Sequence, residues 1–379
     1  MVMMWEQVFN LIAAATGIFA LYITLRNVIF MQIHSLQPFI TDGGMVSVLI
    51  PARNEEDKIA RCIRSLARQT YSNYEIIVLD DQSTDGTGRI LMALEDEFDC
   101  LRVIRGKPLP DGWYGKNHAL HQLAANAEGE ILLFTDADTI HSEESISFAV
   151  TNLAYHKVDF LSGYPKQRFS GKATAAVLSL LFLNLLFFTP VWRQRRHSLP
   201  AFALALGQYL CIRKSAYDAV GGYAAIPRVL TDDIHMARLL NSRGYRQVFL
   251  KVHHVVACDM YATFGEAVRG ITKCIFDFFD KKTGLLLLLV SLFFVFVIIP
   301  TLTFLYLLLA APFSISLLLY AGISLLLSAW TTVLLYNRFP VVIALLYPVS
   351  FLIALWMLIR GVFATKSDRG FIWKSRIVK

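Results

Sequence analysis

At 379 residues the chain is long enough for two soluble domains, but 55% hydrophobic residues against 17% charged leave too little polar surface to cover them. A wholly soluble globular protein is excluded, as are a disordered chain and a small disulfide scaffold, because five cysteines are sparse at this length. The net charge of +7 is gathered at one end: residues 360–379 carry +5 and residues 46–283 only +2, so nucleic acid is not an expected partner.

Taken in chain order, residues 8–30 are apolar apart from Asn10, Thr16, Thr24, Arg26 and Asn27, close to the roughly 20 residues of a spanning helix. Residues 1–45 therefore read as an N-terminal transmembrane anchor and linker. A cleaved leader would want a basic start and a shorter apolar core, whereas Glu6 stands here and no base does. Residues 46–50 read as a buried strand, and 58–69 as a helix with Ile59, Ile63 and Leu66 at helical spacing. Strands over 75–79 and 101–104 flank a helix over 87–97, and a helix over 116–127 precedes a strand over 130–134. This βαβαβ order predicts a parallel, doubly wound sheet with its ligand crevice at the carboxyl ends of the strands.

Residues 173–189 are a weaker apolar segment that interrupts the polar part, and read as a helix lying in the membrane interface. Ile271, Cys274, Ile275 and Phe278 recur at helical spacing beside Arg269 and Lys273, so 261–283 reads as an amphipathic interfacial segment. Apolar stretches over 285–311, 313–336 and 341–359 make 284–359 a block of C-terminal transmembrane helices or hairpins. The basic tail, 360–379, reads either as a partner of anionic lipid headgroups, at about 1 kcal/mol per residue, or as a solvated tail. Four spans around a cytoplasmic middle domain would put that tail outside, yet its charge argues for the inside. Either one segment is re-entrant or interfacial, the one broken at Pro300 being a candidate, or the tail is an exception to the rule. No two cysteines form a Cys-x-x-Cys pair, and reduced, mostly buried thiols suit a multi-pass cell-membrane protein whose catalytic domain faces the cytoplasm.

Each predicted strand end carries a polar cluster. Pro51, Arg53 and Glu55 follow the first, Asp80 and Asp81 the second, and Asp136 and Asp138 the strand at 130–134. One residue separates Asp136 from Asp138, so in extended geometry both carboxylates project to the same side with room for one divalent cation. Oxygen ligands of this kind suit Mn²⁺ or Mg²⁺ held jointly with substrate phosphates. Two nucleotide motifs fail on spacing: Gly86-Thr87-Gly88 meets Leu91 where a third glycine is required, and Gly115-Lys116 has Pro110 and Asn117 where a P-loop needs Gly and Ser/Thr.

The segments VSVLIPARNEE (46–56), EIIVLDDQSTDGT (75–87) and ILLFTDAD (131–138) together resemble the inverting GT-A glycosyltransferases of family 2. The resemblance continues through Trp113-x-Gly115-Lys116, GQYLCIRKSAYDAVGGY (207–223) and LTDDIHMARLLNSRGYR (230–246), and so covers residues 46–260. It implies an α/β fold, a GT-A Rossmann-like nucleotide-sugar-binding domain set between the N-terminal anchor and the C-terminal transmembrane helices. It also implies that Pro51, Arg53 and Glu55 lie beside the nucleoside, with Asp81 or Asp80 at the uracil ring of a UDP-sugar. Asp138 would hold the metal with Asp136 in support, Lys116 would face the donor diphosphate, and Asp233 would take the place of the catalytic base, with Asp232 competing. Chemistry asks for such a base independently, since inverting displacement needs a carboxylate to remove the acceptor hydroxyl's proton. Charge on the leaving diphosphate would be met by the metal and Lys116.

Processive members carry Gln-x-x-Arg-Trp, and the counterpart here is Glu266-Ala267-Val268-Arg269-Gly270, in which only the arginine survives. Arg269 would either reach the diphosphate or face lipid headgroups. WYGKNHAL (113–120) and GITKCIFDF (270–278) are similar to segments of bacterial carotenoid and glycolipid glycosyltransferases. The expected function is hexose transfer from a nucleotide diphosphate sugar, UDP being favoured, to a lipid such as a carotenoid, diacylglycerol, sphingolipid or polyprenyl phosphate. The alternatives are a processive polysaccharide synthase and a non-catalytic membrane scaffold that keeps the fold.

Overall fold

The computed structural model describes residues 2–34, 39–198, 200–278, 281–311, 316–366, 371–373 and 376–378. Helix α1 (Val2–His34) leads into β1 (Val46–Ala52), α2 (Ile59–Leu66), β2 (Tyr74–Asp80), α3 (Thr87–Glu97), β3 (Leu101–Arg105), α4 (Gly115–Ala125) and β4 (Ile131–Phe134). Then come β5 (Thr139–His141), α5 (Ser145–His156), β6 (Phe160–Tyr164), β7 (Lys166–Gln167), α6 (Lys172–Phe188), β8 (Leu210–Arg213), α7 (Lys214–Ala219), α8 (Asp232–Ser242), β9 (Gln247–Lys251) and β10 (Val256–Cys258). The chain closes with α9 (Phe264–Phe278), α10 (Thr283–Phe293), α11 (Ile299–Ala310), α12 (Leu317–Tyr336), α13 (Tyr347–Lys366) and the short pair β11 (Phe371–Trp373) and β12 (Arg376–Val378).

The central sheet runs β3-β2-β1-β4-β8-β6-β9. Its first four strands are parallel, and the apolar runs of β1, β2 and β4 are buried on both faces, as inner parallel strands require, while the edge strand β3 is only partly buried. Alternate residues serve opposite cores: Val48, Ile50 and Val78 pack with Ile63 of α2 and Leu91 of α3, while Leu49, Ile77 and Leu132 pack with Leu123 of α4 and Met236 of α8. The expectation of a parallel sheet needs one correction, because β8 runs antiparallel to both β4 and β6. The consequence is functional, since the N-terminal end of β8 now lies beside the C-terminal end of β4, with Leu210 opposite Phe134. Residues just ahead of β8 are delivered to the edge where Asp136 and Asp138 emerge. A second sheet, β5-β10-β7, adds β10 to the same edge, and the Asp259 N–H donates to the Asp138 carbonyl at 3.0 Å.

Among the described residues three helical stretches are long and apolar enough to cross a membrane: Gln7–Gln32, Leu286–Ala310 and Leu317–Tyr336. The Leu286–Ala310 stretch is not broken at Pro300. A π-helical turn over Phe294–Ile298 precedes the proline, which falls in the first turn of α11 where its missing N–H costs little. The 341–359 stretch, by contrast, divides into a 3₁₀ turn (Val341–Leu346) and α13, a helix of 20 residues. Segment 173–189 forms α6, with Ala175, Val177, Leu178 and Leu180 buried. Most side chains of the basic tail lie outside the described residues.

Candidate active site

The parallel strands end in line, so the turns after β1, β2 and β4 share one edge. After β1, Asn54 takes a left-handed φ of 52° and the chain folds over the next turn, with Arg53 Nη1 donating to the Asp81 carbonyl at 2.5 Å and to the Gln82 carbonyl at 3.2 Å. Asn54 Oδ1 accepts from the Thr84 N–H and the Thr87 hydroxyl accepts from the Glu55 N–H, each at 2.8 Å. These bonds lock the two turns into one wall.

Helices α4 and α8 pack on the same face of the sheet and begin at this edge, which brings Lys116 and the Asp232–Asp233 pair together. Lys116 Nζ lies 3.0 Å from Asp136 Oδ1 and 3.4 Å from Asp232 Oδ1. Burial disfavours its charge, but Asp136, Asp232 and Asp233 outweigh burial and hold the ammonium well above the ordinary lysine range. Asp233 accepts from the Gly207 N–H at 2.7 Å through Oδ2 and from its neighbour's Ile234 N–H at 2.8 Å through Oδ1. Burial and the charge of Asp232 push the Asp233 carboxyl up to about 7 against the pull of Lys116. Burial likewise raises Asp232, with Lys116 opposing.

Asp138 is raised to about 7, by burial and then by Asp136, with Lys58 at 3.9 Å opposing. Among the described residues no three His, Cys, Asp or Glu side chains converge as a closed metal cage. Two adjacent carboxylates whose mutual repulsion raises one of them nevertheless fit a hard divalent cation that takes its remaining oxygens from a phosphate and water. Asp136 and Asp138 are the residues that would hold it.

Lys116, Asp136, Asp138, Asp232 and Asp233 line one cavity of about 1140 Å³, together with Pro51, Arg53, Glu55 and Asp81. Two sequence candidates stand outside its lining. Asp80 turns its Oδ1 onto the Ser83 N–H at 3.0 Å, leaving Asp81 as the residue of that pair in the cavity. Arg269 is exposed on α9, whereas Gly270, Ile271, Lys273 and Cys274 of the same helix line the cavity. Sequence reading missed Gly207: a Cβ there would sit 3.1 Å from Lys116 Nζ, 3.6 Å from Asp136 Oδ2 and 3.7 Å from Asp233 Oδ2. Its only signal was a glycine just ahead of a strand, and the antiparallel β8 that gives it meaning was not anticipated. Asp277 of α9 was missed as well, for a reason taken up below.

The cavity does not stop at the acids. It continues between apolar walls from α1 (Ala15, Phe19), α10 (Leu286, Val290), α12 (Leu326) and α13 (Leu355, Met357).

Residues 47–234 match the glycosyl transferase family 2 profile. Over 242 residues the chain is 30% identical to a beta-monoglucosyldiacylglycerol synthase of Nostoc sp., covering 61% of this chain and 48% of that protein, so it spans about half the length of this relative. It is 25% identical over 269 residues to a 4,4'-diaponeurosporenoate glycosyltransferase of Staphylococcus aureus, covering 68% of each. In fold it is similar to a mannosyltransferase of Pyrobaculum calidifontis solved with GDP-Man and Mn²⁺, with a TM-score of 0.58 and 19% identity over 95% of this chain and 100% of that one. The site at the edge of this sheet thus belongs to a glycosyl transferase family 2 domain, carried by this chain on a GT-A fold with candidate membrane-spanning helices on either side.

Proposed function

We propose that the chain transfers a hexose from a nucleotide diphosphate sugar, UDP-linked in our reading, to the hydroxyl of a membrane lipid, with inversion, at the cytoplasmic face of the membrane. The observation that carries this reading is the continuity of the cavity, which joins the acidic edge of the sheet to apolar walls made by the candidate spanning helices. A polar sugar donor suits the first part and an acyl or polyene chain the second.

In this reading Asp81, Arg53 and Glu55 cradle the nucleoside and Lys116 lies against the diphosphate. A divalent cation held by Asp136 and Asp138 would supply further neutralising charge to the departing diphosphate. Asp233, deprotonated, takes the proton of the acceptor hydroxyl as that oxygen bonds to the anomeric carbon. The bond from that carbon to the diphosphate oxygen breaks with its electron pair, and the nucleoside diphosphate leaves as the anion. Asp232, ion-paired with Lys116, is the less available base. The named relatives, a beta-monoglucosyldiacylglycerol synthase and a 4,4'-diaponeurosporenoate glycosyltransferase, support the lipid class without selecting within it.

The test is to incubate membranes containing the protein with radiolabelled UDP-glucose and Mn²⁺, beside an Asp138→Ala control, and to separate organic-soluble, insoluble and aqueous label. Organic-soluble label that the control lacks is the expected result. Label only in insoluble polymer would replace the reading with a processive synthase. No transfer from any nucleotide sugar would remove catalysis altogether.

A further inference from the structure

Asp277 stands near the C-terminal end of α9 and is 4% exposed. Burying a carboxylate is unfavourable unless its lone pairs are taken up, and here one oxygen takes up three donors. Oδ2 accepts from the Leu230 N–H, the Thr231 N–H and the Thr231 hydroxyl, each at 2.9 Å. The next two residues are Asp232 and Asp233. Three donors converge on one oxygen, so a side chain 46 residues from Thr231 holds the turn that carries Asp232 and Asp233.

The surroundings make the attachment two-sided. Thr231 is the N-cap of α8, yet its side chain makes no capping bond and is committed to Asp277 and to His235 Nδ1, 2.9 Å away. Arg238 of α8 donates to the Phe278 carbonyl at 2.8 Å, and Lys281 Nζ lies 4.0 Å from Asp277 Oδ1. Helix α9 itself lines the cavity with Ile271, Cys274, Ile275 and Phe278. One helix therefore borders the space proposed for the acceptor chain and also holds the backbone that carries the base.

We propose that Asp277 is a positioning residue: it fixes the 230–233 turn so that Asp233 meets the acceptor hydroxyl, and thereby ties the base to the helix lining the acceptor's channel. The kinetic consequence rests on the reading of Asp233 as the base, whereas the tether itself does not. It is the acceptor oxygen at its present reach that matters, more than the charge. Asp277→Asn keeps an oxygen there, Asp277→Glu keeps the charge but overreaches by a methylene, and Asp277→Ala removes both.

The experiment uses the full chain in lipid nanodiscs, with two readouts. The first is backbone amide exchange over 229–234 by mass spectrometry, which needs no turnover. Exchange is expected to quicken by about tenfold or more in Asp277→Ala and Asp277→Glu, and to stay slow in Asp277→Asn. The second is transfer from UDP-glucose to the lipid that the wild type labels. A drop in kcat of about tenfold or more is expected for Asp277→Glu, with donor KM within about twofold, and Asp277→Asn should stay within about threefold of wild type. Unchanged exchange in Asp277→Glu, or Asp277→Asn faring worse than Asp277→Glu, would overturn the tether. A wild-type protein that transfers nothing would instead remove the proposed function, and the exchange measurement would still decide the tether.

Discussion

Asp232 and Asp233 are neighbours in sequence but meet different surroundings, and that difference is why we propose Asp233 rather than Asp232 as the base. Asp232 is 5% exposed and paired with Lys116, while Asp233 is the more open and holds backbone N–H groups instead. A base must be deprotonated before it can accept a proton, and the Asp233 carboxyl is pushed up to about 7. Below that pH it is protonated and idle, so kcat should rise as pH increases through about 7 and level off above it. Asp233→Asn should cut kcat by about 10²- to 10⁴-fold with donor binding retained, leaving a residual rate without that rise; a pH–rate series on both proteins checks this. Gly207 yields a companion prediction. Its Cβ would stand 3.1 Å from the Lys116 ammonium, so in Gly207→Ala the lysine must give way by a few tenths of an ångström beside Asp136 and Asp233. Turnover should fall on the order of 10²-fold while the thermal midpoint of the domain hardly moves, and a paired activity and melting measurement separates the two effects.

At the scale of elements, the parts legible in the sequence were those whose residues meet neighbours along the chain. The strands and helices from β1 to β4 fall where apolar periodicity and turn residues place them, and α3 spans Thr87–Glu97 as the spacing predicts. The acidic turns were legible for the same reason, each being the few residues past a buried strand. What was not legible depends on pairing at long range. The reversed direction of β8 leaves no mark within LCIR, and Asp277 reads as one polar residue on an amphipathic helix until Leu230 and Thr231 are seen against it. Helix contacts in the apolar block were hidden likewise, because its hydropathy is uniform. There α1 and α12 approach so closely that a Cβ on Gly322 would lie 2.5 Å from the Ala13 carbonyl, and one on Gly17 2.4 Å from the Gly322 carbonyl. Backbone cannot yield as a flexible side chain does, so Gly322→Ala should cost about 1–3 kcal/mol and lower the detergent-denaturation midpoint. Gly284→Ala, where a Cβ meets nothing within 4 Å, is the matched control and should leave it unchanged.

At the scale of the whole molecule, the opposing demands on the basic tail come down to whether the last apolar stretch crosses the membrane. Tyr336, at the end of α12, is held by the catalytic domain: Lys251 of β9 donates to its carbonyl at 2.8 Å and lies 3.7 Å from its ring centroid. Twenty-five residues later the chain is back at the domain side, where a Cβ on Gly361 would sit 2.8 Å from the Thr272 carbonyl of α9. We infer that a segment leaving the domain at Tyr336 and returning to α9 by Gly361 does not cross, and the 3₁₀ turn ahead of α13 suits a re-entrant or interfacial path. On that reading three crossings would remain among the described residues, by α1, by α10 with α11, and by α12. An odd number would put the start of α1 on one side and the +5 tail on the other, together with the catalytic domain, which is where a surplus of Lys and Arg belongs. In spheroplasts a cysteine introduced after residue 379 should resist a membrane-impermeant maleimide until the membrane is opened, whereas one placed ahead of residue 2 should react at once. Labelling of both ends from outside would restore four crossings and make the tail an exception to the charge rule.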